Sequence, residues 1–132
     1  MKKVFLLDDT DVALNYLKKQ LNEKYPGQYD FYQAYNVAEF TAGVMELGER
    51  TRGMIFIIGL YLKASPEDGI RCVKYLRRDG YKNPIFVWSK WANEYRQKAL
   101  DAGADDVFEK CVEDEKLLAA IDGIKSTPVV ES

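Results

Sequence analysis

The sequence contains no histidine. That absence removes the commonest general base, the commonest zinc ligand and every Ser-His or Cys-His dyad. Cysteine is almost as scarce: Cys72 and Cys111 stand alone, too few for a disulfide framework and suited to a reducing compartment as buried or half-buried free thiols. The longest apolar run, Gly53 to Leu62, has ten residues, well short of a membrane span. Met1-Lys2-Lys3 leads straight into a short strand-like segment ended by acids, without the apolar stretch of a secretory signal, so the expected location is cytoplasmic with no membrane attachment. Neither sign of charge dominates. Nineteen Lys+Arg against twenty-one Asp+Glu give a net charge of −2, which leaves no polycationic footprint for nucleic acid. No Gly-x-Gly-x-x-Gly and no Walker sequence follows the first strand-like run, so nucleotide binding has no support. Flavin binding would want a Ser/Thr/Gly-rich loop where Asp8-Asp9 stands, and that pair would repel its phosphate.

What is present is the composition of one ordinary globular domain, with 47% hydrophobic and 30% charged residues in 132. Short apolar runs alternate with amphipathic stretches five times. Val4–Leu7 predicts a strand stopped by Asp8-Asp9, and Leu14, Leu17 and Leu21 mark one face of a helix that runs to about Lys24. Tyr29–Tyr35 predicts a second strand, Asn36 an N-cap, and Val37, Phe40, Val44 and Leu47 a second helix. Met54–Ile58 is the most apolar strand and so is expected at the centre, covered on both faces. Ile70, Val73 and Leu76 place the third helix, Ile85–Trp88 the fourth strand, and Ala92–Leu100 the fourth helix. Val107-Phe108 is the fifth strand, and Leu117, Leu118 and Ile121 place the last helix. Five such units imply an α/β fold: a flavodoxin-like (βα)5 doubly wound sandwich with a parallel sheet in the order 2-1-3-4-5. The domain is expected over residues 1–125, with 126–132 a C-terminal tail or the start of a linker. The nine tyrosines include Tyr25, Tyr29, Tyr32 and Tyr35 around an edge strand, where aromatics pack, and no basic groove accompanies them.

In this fold, ligands bind beyond the carboxyl ends of the strands. Those ends carry Asp8-Asp9, Gly59, Ser89 and Lys110. Adjacent carboxylates at a strand end are either oxygen ligands for a hard divalent ion or a solvated pair favouring the next helix N-terminus. The strand-end Asp8-Asp9, the run Pro84–Ser89, the run Gly103–Lys110 and Asp68-Gly69 at a helix start together resemble the receiver domain of two-component response regulators, over about residues 2–124. The resemblance implies that Asp8 and Asp9 hold a divalent metal, that Ser89 follows a phosphoryl group and that Lys110 is its counter-charge. It also implies an aspartate at the end of the third strand that accepts the phosphoryl group from a kinase's phosphohistidine, with Mg²⁺ bridging.

Gly59 stands where that aspartate belongs, and glycine supplies neither nucleophile nor ligand. Glu67 and Asp68 are too far along the chain to replace it without swinging back over the site. Val107 occupies the position of the family's switching Tyr or Phe. Cys111 replaces the proline after the lysine and Lys90 the small residue after Ser89. The loop from Tyr61 to Asp68 is also about two residues longer than the family's. Lys110, deprived of its partner, is expected to pair with Asp8 or Asp9 and compete with a metal for the same oxygens, so that no cofactor is expected and Mg²⁺ binds weakly if at all. The expectation is therefore a degenerate pseudo-receiver without catalysis, acting in signal transduction by phosphorylation-independent contact with a protein partner, a histidine kinase or a downstream effector. Two alternatives stay open: a receiver still switchable by phosphotransfer or by a non-covalent ligand at the vacated pocket, and a small metal-assisted phosphoryl-transfer enzyme. Basic residues crowd Arg71–Lys98 and acids Asp101–Lys116. The fourth helix, fifth strand and fifth helix are thus a candidate interaction or homodimer face, with Trp91, Tyr95, Arg96, Phe108 and Glu115 as its candidate residues.

Overall fold

Strand formation follows the apolar runs closely. The computed structural model describes residues 1–124, so the tail expected at 126–132 lies outside the described residues. The elements are β1 (Lys2–Leu7), α1 (Asp11–Lys24), β2 (Tyr29–Ala34), α2 (Val37–Leu47), β3 (Ile55–Ile58), α3 (Glu67–Arg78), β4 (Ile85–Ser89), α4 (Ala92–Ala102), β5 (Asp106–Glu109) and α5 (Asp114–Gly123), with a 3₁₀ turn at Gly48–Thr51. All strand pairs are parallel and the order is β2-β1-β3-β4-β5. The expected topology is therefore the observed one.

Period-two alternation divides the core into two layers. Phe5, Leu7, Phe56, Ile58, Val87 and Val107 pack with α2, α3 and α4, whereas Val4, Leu6, Ile55, Ile57, Phe86, Trp88 and Phe108 pack with α1 and α5. Every residue of β3 is buried, as a central strand covered on both faces requires. At α2 the Asn36 Oδ1 accepts the Glu39 amide at 2.8 Å, the expected N-cap. Tyr25, Tyr29 and Tyr32 pack with neighbouring rings, with Tyr25–Tyr29 centroids 6.2 Å and Phe5–Tyr32 centroids 6.1 Å apart, whereas Tyr35, expected to pack with them, is 41% exposed and donates its hydroxyl to Asp11.

Three further expectations change in the fold. Phe108, offered as an interface residue, is only 5% exposed and meets Phe86 edge-on at 5.8 Å, because the β5 pleat turns it toward α5. Arg77, which belongs to the basic run by sequence, is a structural tie. Its guanidinium donates to the carbonyls of Gly103, Tyr81 and Asn83 at 2.8–2.9 Å and to Asp105 at 3.0 Å, joining α3 to the entries of β4 and β5. Cys111 is exposed rather than half-buried, whereas Cys72 lies in the core and its thiol is pushed up to about 12 by burial and by nearby Asp68. A thiol reagent at pH near 8 should therefore add once to the folded chain, at Cys111, and twice after denaturation, as counted by intact mass.

Candidate functional site

Parallel register carries the strand ends to one edge of the sheet. Leu7 pairs with both Ala34 and Ile58, Ile58 with Val87, and Ser89 with Glu109. The backbone continues to pair one step further: the Asp8 amide donates to the Ala34 carbonyl at 3.1 Å, the Gly59 amide to Leu7 at 2.7 Å and the Lys110 amide to Ser89 at 3.1 Å. Asp8, Gly59, Ser89 and Lys110, which are far apart in the chain, thus stand around one cleft.

Asp8 is 2% exposed, a position at which a bare carboxylate would be strongly unfavourable. Both of its oxygens are engaged. Oδ2 accepts the Lys110 ammonium at 2.5 Å, and Oδ1 accepts the Thr10 amide at 3.0 Å and the Thr10 hydroxyl at 3.1 Å. Of the two partners open to Lys110 in the sequence, the structure selects Asp8; Asp9 is exposed. The ammonium also lies 5.1 Å from the Trp88 ring centroid, in the range of a cation–π contact. Ser89 is buried and its hydroxyl oxygen accepts the Trp91 amide at 3.0 Å, which fixes the start of the turn into α4. Thr10 was not singled out by sequence, yet an Asp followed two residues later by a hydroxyl residue is an Asx-turn pattern that could have indicated it.

Gly59 closes β3. A Cβ at this position would sit 3.0 Å from the Leu7 carbonyl oxygen and 3.5 Å from Asp8 Oδ2, so a side chain grown there would emerge beside the Asp8 carboxylate. Among the described residues no other acid takes this place. The Asp68 carboxylate instead closes the loop before α3: Oδ2 accepts the amides of Lys63, Ala64 and Ser65 at 3.0–3.3 Å, and Oδ1 accepts Arg71 at 2.6 Å. Burial pushes this carboxyl upward, but the three amides and the Arg71 guanidinium outweigh it and hold it below its ordinary value. A carboxyl lowered on folding contributes stability that is complete above its unfolded value, about 3.9, and disappears as pH falls through the folded one. Asp68→Asn should therefore lower stability by about 1–3 kcal/mol at pH 7, and the gap from the native chain should shrink below pH ~4, as urea midpoints at the two pH values will show.

Val107 is fully enclosed among apolar side chains of the α2–α3–α4 layer. The Lys110–Cys111 peptide is trans, and Cys111 adopts φ +70° while its amide donates to Asp114 Oδ1 at 2.9 Å. The same oxygen accepts Trp88 Nε1 at 2.9 Å. A hard divalent cation needs several converging oxygens. Here one carboxylate is occupied by three donors, the third-strand position adds no oxygen, and no three acidic, cysteine or histidine groups converge among the described residues. This donor set does not fit the Mg²⁺ that the resemblance implies.

Along α4, β5 and α5 the opposite charges meet within one chain. Arg96 donates to the Val107 carbonyl at 2.7 Å and pairs with Glu113 at 3.1 Å, while Lys98 pairs with Glu67 at 2.9 Å. Glu115 reaches Lys24 of α1 at 2.9 Å and so belongs to the α1–α5 side. Tyr95 is half-buried with the Lys98 ammonium 5.6 Å from its ring centroid, and Trp91 is 41% exposed. Trp91 is the apolar residue this face leaves most open among those named from the sequence.

The family profile of the response regulator receiver domain matches residues 4–122. No curated protein matches the sequence significantly. Among solved structures, the chain is similar to a response regulator receiver protein from Pseudoalteromonas atlantica, with a TM-score of 0.77, 21% identity and coverage of 92% of this chain and 95% of that one. It is similar also to the receiver domain of the Francisella response regulator 1452, with a TM-score of 0.73, 20% identity and coverage of 92% and 94%. The phosphorylated cyanobacterial phytochrome response regulator RcpA gives a TM-score of 0.71, 18% identity and coverage of 93% and 90%. Identities this low speak for the shared CheY-like, flavodoxin-like fold alone; the profile, which spans nearly the whole chain, speaks for descent. The chain belongs to the response regulator receiver domain family, whose members serve signal transduction.

Proposed function

We propose that this receiver signals through a protein partner without forming an aspartyl phosphate. One observation carries the reading: at the end of β3, where the acceptor carboxylate would emerge beside Asp8, the residue is Gly59. Phosphotransfer needs a nucleophilic oxygen at that point, and glycine has none. The Lys110–Asp8 pair supports the same reading, since the counter-charge for a phosphoryl group is bound to the carboxylate that would hold the metal. Asp68 offers no substitute, with both oxygens held by the loop it closes. Receiver domains are typically signalling modules rather than enzymes, and the alternative of metal-assisted phosphoryl chemistry would require the donor set that is missing here. The partner is expected to be a kinase or an effector protein of a two-component pathway, recognising the folded surface itself.

Intact mass after treatment with acetyl phosphate and Mg²⁺ tests the reading. The native chain should gain no phosphoryl group, and a stable adduct on it would overturn the proposal. Gly59→Asp, which needs a shift of only a few tenths of an ångström at the Leu7 carbonyl, should gain one if Ser89 and Lys110 still serve once an acceptor is supplied.

A further inference from the structure

The cleft over the strand ends has a volume of about 650 Å³, within the range of small-molecule sites. Its walls are aromatic. Tyr61 and Trp91 stack with centroids 6.0 Å apart and planes 25° from parallel, and Tyr16 and Trp88 lie 6.1 Å apart at 31°. All four rings line the same cleft, yet they come from α1, the loop after β3, β4 and the turn before α4. The aromatic lining is therefore assembled by the tertiary fold. Tyr61 is 45% and Trp91 41% exposed, and Val12 on the same rim is 76% exposed. Exposed apolar side chains that converge on one concavity mark a binding site more than scattered ones do.

Charge narrows the ligand. Asp8 and Lys110 neutralise each other, and Asp114 Oδ1 accepts two N–H donors. The formal charges left over are two carboxylates, Asp114 and the exposed Asp9, and one ammonium, the exposed Lys90. Such a lining does not select a phosphate or another polyanion, and the Gly59 position adds no charge to the floor. We propose that the cleft binds a planar aromatic molecule of two or three fused rings that carries no negative charge, non-covalently, against the exposed Tyr61–Trp91 pair. Offset stacking on the exposed Tyr61–Trp91 pair supplies the affinity, and the Ser89 hydroxyl and the rim charges supply polar contacts for its edge. Binding would place the ligand between α1 and the turn into α4, where it could alter the surface offered to a partner. The site stands whether or not the chain accepts phosphate. The acetyl phosphate measurement and the titration below fail independently.

The chain has two tryptophans, and both line the cleft, so their indole N–H signals in a ¹H–¹⁵N spectrum report on it directly. Titration with 2-naphthol should shift both signals saturably, with a dissociation constant of about 1 mM or tighter. Cyclohexanol, which carries the same hydroxyl without an aromatic face, should produce no saturable shift, and 2-naphthyl phosphate should bind no more tightly than 2-naphthol. Tyr61→Ala and Trp91→Ala, both at exposed positions that the fold tolerates, should each weaken 2-naphthol binding about tenfold or more, followed on the Trp88 signal. Absence of saturable shifts up to the solubility limit would overturn the proposal. So would equal binding of cyclohexanol, tighter binding of the phosphate, or undiminished affinity in both variants.

Discussion

Gly69→Ala is expected to destabilise the fold by about 3 kcal/mol or more, the upper range for forced overpacking. A Cβ at Gly69 would lie 2.2 Å from the Gly59 carbonyl oxygen and 2.7 Å from Leu60 Cα, and both are backbone atoms that no rotamer change can move. The Gly69 amide donates to the Leu60 carbonyl at 2.9 Å, so the first turn of α3 rests directly on the chain leaving β3. Added volume must lift the helix or displace Gly59 and Leu60, and either movement deforms the cleft as well. Urea unfolding should show the midpoint fall without a matching change in slope. Gly123→Ala is the control. Nothing lies within 4 Å of its Cβ position, and it occupies the last position of α5. That change should be neutral or stabilising by about 0.5 kcal/mol, because alanine loses less conformational entropy in a helix. A neutral or stabilising effect in both variants would mean that helix propensity alone decides and that the close approach at Gly69 is not present in solution.

Lys110→Met should lower stability by about 2–4 kcal/mol, because it leaves the buried Asp8 carboxylate with the two Thr10 donors on Oδ1 and nothing on Oδ2. The Lys110 side chain is 20% exposed and Asp8 only 3%, so the reverse change, Asp8→Asn, should be milder: the released ammonium can turn to water. Joining Asp8→Leu to Lys110→Met should recover a large part of the loss, since no charge then remains buried. A Lys110→Met midpoint within about 0.5 kcal/mol of native would show that the pair is solvated and contributes little. The same pair governs metal affinity. In the native chain Mg²⁺ should give no saturable quenching of Trp88 and Trp91 fluorescence at sub-millimolar concentration, because a cation must displace Lys110 from Asp8 and then find too few oxygens.

Much of the site was legible from residue order alone. Asp8, Ser89 and Lys110 each end an apolar run and Gly59 follows the most apolar one, and parallel strands of similar length must bring their carboxyl ends to one edge. Pairing of Lys110 with a strand 1 acid followed from charge, because an ammonium at this edge moves to the nearest carboxylate. Asp68 was harder to read. It stands at the start of α3, and in the structure its Oδ2 accepts the three loop amides ahead of it, a curl of Lys63–Ser65 that no local preference specifies.

The surface was less legible. Runs of like charge in the chain suggested a polar face for docking, yet Arg77 and Arg96 turn to backbone carbonyls and nearby acids, because a guanidinium offers five donors in a rigid fork that local acceptors can fill. Phe108 was misread for a different reason: helices cover both faces of the sheet, so the step from Val107 to Phe108 exchanges one core layer for the other, and its neighbours in α5 complete the burial.

Hydrophobic period and strand-end residues, both local properties of the chain, were sufficient for the doubly wound fold and for the edge at which Asp8, Gly59, Ser89 and Lys110 meet. Side-chain destinations were not local. Which acid receives Lys110, that Asp68 binds its own loop, that Phe108 is buried, and that Tyr16, Tyr61, Trp88 and Trp91 line one cleft all depend on groups distant in sequence meeting in three dimensions. A hydrogen bond or a ring contact is decided within a few tenths of an ångström, and only the packed tertiary structure defines positions that finely.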